Sequence, residues 1–168
     1  MTSEEVAEVY LKSMRQELRS LKTLADRAIF QVKDEEFSIE IDDESNSIMI
    51  LMKHIAGNMT TLWTRPLAPA EEWPARHRDL EFTHTKEDTR IAVSESWNNA
   101  WEALFKTMDG LKKRDLLASM RFHENNSPLI EVLNSQYRHY AVHVGQIIFL
   151  AKHFRVRDWN SLSIPKKR

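Results

Sequence analysis

Tyr137-Arg138-His139-Tyr140-Ala141-Val142-His143-Val144-Gly145-Gln146 is the segment on which the reading of this chain turns. It sits inside a longer pattern from Leu129 to Phe154, where Leu133, Gln136, His139/Tyr140, His143, Ile147 and Leu150 recur at helical period and predict a long amphipathic helix. Polar members interrupt its apolar seam, an expensive arrangement unless their polar atoms are paired. His139 and His143 stand four residues apart, which places them on one face about 6 Å from each other. At that separation two imidazoles can bind one metal ion as adjacent ligands.

A third histidine, His54, lies in the apolar segment Ile48-Met49-Ile50-Leu51-Met52-Lys53-His54-Ile55-Ala56-Gly57-Asn58. Three histidines from two helices would leave at least one coordination position for water or substrate, as catalytic metal sites do and closed structural sites do not. Gly57 and Gly145 each follow a proposed ligand within three residues, and each costs about 1 kcal/mol relative to alanine in a helix. Close approach of two backbones around an ion would offset that cost; tight helix packing without an ion would do so equally.

Outward from these segments, a first helix begins at Ser3/Glu4/Glu5 and carries Val6, Tyr10, Met14, Leu18, Leu21, Ala25, Ala28 and Val32 toward a core. Residues 33–44 alternate Phe37, Ile39 and Ile41 with polar residues, which predicts an extended connection with a short edge strand. The second helix spans Ser47 to Thr64 and stops before Arg65-Pro66. Residues 65–86 form a long loop with Pro66, Pro69 and Pro74, anchored by Trp73 and Phe82, in which Arg76, Arg78, Asp79 and Glu81 are expected to form an ion-pair network over one end of the bundle or against a partner subunit. The third helix runs from Lys86 to Asp109 with Ile91, Ser94, Trp97/Asn98, Trp101, Leu104/Phe105 and Met108 on its buried stripe, and Gly110 as its C-cap. Leu116 to His123 followed by Glu124-Asn-Asn-Ser-Pro128 predicts a small hairpin before the fourth helix.

The expected fold class is therefore all-α: one domain over residues 1–168, a four-helix bundle with a long crossover between helices two and three. The chain has 168 residues, 42% hydrophobic and 29% charged, with 24 basic against 25 acidic side chains and a net charge of −1. A chain of this length buries roughly 70% of its unfolded surface and needs no staples. Scattered basic residues argue against nucleic acid, and Lys166-Lys167-Arg168 reads as a solvated tail. No apolar run approaches the roughly 20 residues of a membrane span. The opening Met1-Thr-Ser-Glu-Glu, acidic and polar, does not read as a signal peptide, and the expected compartment is the cytoplasm. Absence of cysteine excludes disulfides, cysteine-ligated zinc and a protein thiol nucleophile.

Four blocks carry a resemblance to a known family: Asn46-Ser47-Ile48 leading to His54-Ile-Ala-Gly57-Asn58; Arg76-His-Arg78-Asp79-Leu-Glu81-Phe82; His139-Tyr-Ala-Val-His143-Val-Gly145-Gln146; and Trp159-Asn-Ser-Leu-Ser-Ile-Pro165. Together they resemble the DinB/YfiT-like superfamily of small bacterial metalloproteins, from helix two to the C-terminus. The resemblance implies a divalent metal held by three histidines, which map onto His54, His139 and His143, and it implies homodimers. It also implies thiol-dependent chemistry, since relatives include S-transferases that use low-molecular-weight thiols, and thiol-dependent isomerases. The Asp79/Glu81 loop block belongs to a subgroup, so activity does not transfer from fold alone.

Imidazole suits zinc, nickel, iron and copper alike; zinc or nickel is the ion expected here. Asn58, Gln136 and Gln146 are candidates for hydrogen bonds to the ligands or substrate. Trp97, Trp101 or Trp63 could line a pocket for an electrophile or simply pack in the core. His77, His84 and His123 are expected at the surface, and His153, ten residues past His143, lies about 15 Å further along a helix, too far to share a metal. Two other classes stay open. Metal-assisted hydrolysis would need a carboxylate such as Glu95, Glu102, Asp79 or Glu81 within reach of the metal. A non-enzymatic dimeric bundle would seal the site from solvent.

Overall fold

Capping side chains set the helix ends. In the computed structural model, which describes residues 2–122 and 125–164, α1 (Ser3–Ile29) starts at a capping box between Thr2 and Glu5. Arg90 covers its far end by donating to the carbonyls of Ile29 and Val32 at 2.9 and 2.8 Å. Helix α2 (Ile48–Trp63) starts at buried Ser47, whose hydroxyl accepts from the Ile50 amide. A one-turn helix α3 (Arg78–Glu81) lies in the crossover, and α4 (Arg90–Gly110) begins where the Thr89 hydroxyl accepts from the Ala92 amide. An antiparallel hairpin, β1 (Ser119–Phe122) paired with β2 (Asn125–Pro128), leads into α5 (Leu129–Phe154). His123, Pro165 and the basic tail 166–168 lie outside the described residues.

Among the described residues the molecule is thus mostly helical with one small two-stranded sheet. Helices α2 and α4 pack together, as do α1 and α5, and the α2–α5 and α1–α4 contacts close the ring around one core. Fully buried Trp63, Trp97, Trp101 and Tyr140 fill its centre. No helix is long and apolar enough to cross a membrane among the described residues.

Several expectations need correction. Residues 33–44 form no edge strand: Asp34–Glu36 is a 3-10 turn, Phe37 is buried, and the Phe37 carbonyl accepts from the Met49 amide at the start of α2. The alternation there reflects one anchor, not a face, since Ile39 and Ile41 remain exposed. Helix α4 begins four residues later than predicted, because the Asp88 carboxylate is drawn into a turn by the Thr85 amide and Lys53. Its stripe uses Val93 rather than Ile91, which is exposed. Gly110 is the last helical residue and Leu111 the cap, with extended backbone. Val6, one turn into α1, is also exposed.

Candidate metal centre

Helix α5 presents His139 and His143 toward His54 on α2. The three ring centroids lie 4.7 to 5.1 Å apart, and one nitrogen from each ring falls within 4.8 Å of the other two. His54 is buried and the other two are half-buried. This is the one cluster of three or more potential ligands found among the described residues.

Hydrogen bonds fix which nitrogen each ring offers. His54 Nδ1 stands 3.0 Å from Glu81 Oε2, so Nδ1–H donates to the carboxylate and Nε2 is turned inward. His143 Nδ1 donates to Gln146 Oε1 at 2.7 Å, which leaves its Nε2 for the centre. His139 Nε2 lies 3.1 Å from His54 Nε2, while its Nδ1 is buried without a partner. Two imidazole nitrogens facing each other this closely, with a third ring beside them, form a donor set that suits a cation better than it suits a hydrogen bond. Burial, with like-charge repulsion from His143 and His54, pushes the His139 pKa down to about 4. Burial likewise lowers His143, against the opposing hydrogen bond to Gln146. Neutral imidazole is the form that ligates.

Glu81, expected in the crossover's ion-pair network or as a hydrolytic carboxylate, stands instead directly behind His54. It is 7% exposed and gripped at both oxygens by Arg76, at 2.7 and 2.8 Å. Burial alone would raise its pKa; hydrogen bonds from Arg76 and His54, together with their charge, outweigh burial and hold the carboxyl below its usual range. The carboxylate–histidine arrangement is the one that orients metal-binding imidazoles and raises their basicity. Gly57 explains its own position here. A Cβ at residue 57 would run into the Glu81 carboxylate, with Cδ only 2.8 Å away. The glycine next to His54 therefore makes room for an oriented side chain rather than for a second backbone. Gly145 has nothing within 4 Å of a built Cβ and makes no such approach.

The remaining predicted residues divide clearly. Gln136 and Asn58 line a cavity of about 430 Å³ beside His54 and His139, together with Arg76, Arg78 and Arg138. Asn58 also accepts from the Tyr140 hydroxyl at 2.7 Å, and Tyr140 accepts from Trp63 Nε1 at 2.8 Å. Trp97 and Trp101 lie in the core; Trp97 Nε1 donates to Asp26, and the Trp101 ring packs against Trp97, Phe105 and Tyr140. His84 pairs with Glu40, His77 is exposed, and His153 is exposed beside Phe149. Asp79, Glu95 and Glu102 are exposed. Phe82, expected only as a loop anchor, tilts against His54 with ring centroids 4.9 Å apart.

The sequence of this helical chain matches, over residues 5–168, the family described as Protein of unknown function (DUF1572). The chain belongs to that family. No curated protein matches it. Its match spans every element that builds the centre, so α2, the crossover and α5 all lie within the DUF1572 region.

Proposed function

We propose that this DUF1572 protein is a metal-dependent transferase of the DinB/YfiT type, in which His54, His139 and His143 hold a divalent zinc or nickel ion and a low-molecular-weight thiol is the nucleophile. The convergence of three imidazoles, two of them oriented from behind by Glu81 and Gln146, carries this reading. A divalent ion held there would lower the pKa of a coordinated thiol toward the reactive thiolate. The chain's own residues hold and orient the ligands: Arg76 clamps Glu81, Glu81 fixes the His54 tautomer, and Phe82 backs the His54 ring. With no cysteine in the chain, the reacting sulfur has to arrive as substrate. Phe122 and Val142 give the adjoining cavity an apolar wall for the electrophile, a role that the core positions of Trp97 and Trp101 leave vacant. Four long helices with a crossover after α2 support the bundle fold of that superfamily, and the same resemblance supports a cytoplasmic homodimer.

Hydrolysis is the second reading, and the carboxylates disfavour it. No acidic residue is found among the described residues lining the cavity, and Glu81 is committed to Arg76 and His54. The test is elemental analysis of untagged protein followed by conjugation of 2-mercaptoethanol to chlorodinitrobenzene. Thiol-dependent turnover that disappears on chelation and in His143→Ala supports the transferase. Ester hydrolysis without any thiol, equally lost on chelation, would replace it.

A further inference from the structure

The cavity beside His54 and His139 has a charge pattern that the metal reading does not explain. Three guanidinium groups line it, from Arg76, Arg78 and Arg138. The protein as a whole is nearly neutral, so this concentration is local. Arg76 is balanced by Glu81. Among the described residues, neither Arg78 nor Arg138 forms an ion pair, although both are exposed and free to find one. Arg78 is held over the Phe82 ring at 5.1 Å, and Phe82 in turn rests on His54. Its charge is thereby stationed next to the histidines rather than trailing in solvent.

Gln136 adds an independent observation. It lies one turn before His139 and lines the same cavity, it is 5% exposed, and its Oε1 has no hydrogen-bond partner. With that oxygen turned into the protein, the amide presents its Nε2 donor to the cavity, beside the arginines.

We propose that the cavity is a subsite for a small organic anion, with Arg78 and Arg138 gripping its negative group and Gln136 Nε2 donating a hydrogen bond to it. Planar guanidinium forks suit carboxylates and other oxyanions through paired hydrogen bonds. The substrate class at the histidine centre is then anionic, and where the thiol reading holds, the preferred thiols carry a carboxylate or sulfonate. This last clause rests on the function proposed above; the anion subsite itself rests on the cavity.

Cobalt-loaded protein provides the experiment, because sulfur coordination gives a charge-transfer absorption that reads binding without turnover. Mercaptoacetate, 2-mercaptoethanesulfonate and neutral 2-mercaptoethanol are titrated in parallel. At low salt the anionic thiols should saturate at about tenfold lower concentration than the neutral one. Arg78→Ala and Arg138→Ala should each reduce that preference and the double variant should erase it, with 2-mercaptoethanol and cobalt stoichiometry unchanged. The carboxylate and sulfonate arms show which anion the forks prefer. Equal midpoints in the unaltered protein, or a preference that survives the double variant, would overturn the subsite. Calorimetric titration with succinate and with succinamide separates the two ideas. If no thiol alters the cobalt spectrum, the transferase reading fails, and the subsite then stands if succinate alone binds and the double variant loses it, and falls if it does not.

Discussion

A methyl group at position 57 would meet the carboxylate that orients His54, and this single contact makes the strongest residue-level prediction. Gly57→Ala should displace Glu81 and lower metal affinity about tenfold to a hundredfold, the usual range for losing the partner behind a ligand. Gly145→Ala is the matched control: nothing lies within 4 Å, so it should keep full affinity and gain roughly 0.4–1 kcal/mol of stability from the smaller entropy of its unfolded chain. Equilibrium metal competition with a chromophoric chelator measures the first effect and thermal melting the second. Equal affinities for the two variants would remove Glu81 from the centre. Sequence alone flagged both glycines as costly and could not separate them. The group that crowds Gly57 lies twenty-four residues onward in a loop, beyond any periodicity. His54, His139 and His143 were legible for the opposite reason, since polar residues on an apolar helical seam carry a local signal.

At the scale of elements, the crossover is the part whose structure was hidden. Composition predicts a long anchored loop with an ion-pair network of Arg76, Arg78, Asp79 and Glu81, but only Arg76 and Glu81 pair: Arg78 lies over the Phe82 ring and Asp79 enters only through its backbone carbonyl. A second tether ties the crossover down: Lys53 on α2 donates to the Thr83 carbonyl at 2.7 Å and to Asp88 at 2.6 Å, and Thr85 adds its amide to the same carboxylate. Burial would raise the Asp88 pKa; the Lys53 and Thr85 hydrogen bonds outweigh it and hold the carboxyl below its usual range. A depressed folded-state pKa means the stabilisation is complete above the unfolded value, about 3.9, and is lost as pH falls through the folded one. Asp88→Asn should therefore cost about 2 kcal/mol at pH 7, with the variant and the unaltered protein converging on acidification below pH 4. Chemical denaturation across that range tests it, and parallel curves would refute the tether. Helices α2 and α5 were legible nearly to the residue because caps and breakers are local, whereas the start of α4 depends on this tether and was placed too early.

For the whole molecule, the question is whether the histidine centre holds the fold or only decorates it. The three histidines join α2 to α5, while the α2–α4 and α1–α5 interfaces are packed by apolar side chains that need no ion. A core that includes four fully buried large aromatic residues distinguishes this chain from small metal-dependent domains that unfold without their ion. Metal binding should then add stability only by linkage, about 2.7 kcal/mol when free metal stands a hundredfold above its dissociation constant. Spread over a domain of this size, that raises the melting temperature by roughly 5–10 °C. Chelation should lower the melting temperature by that amount while the far-ultraviolet helical signal at 25 °C stays intact. His54→Ala, His139→Ala and His143→Ala should each lose stoichiometric metal and melt at one temperature with or without chelator, because two remaining ligands hold the ion poorly. His77→Ala, His84→Ala and His153→Ala should behave like the unaltered protein, their rings standing outside the cluster. A chelated protein that loses its helical signal would make the centre structural, against the solvent access that the half-buried His139 and the adjoining cavity give it.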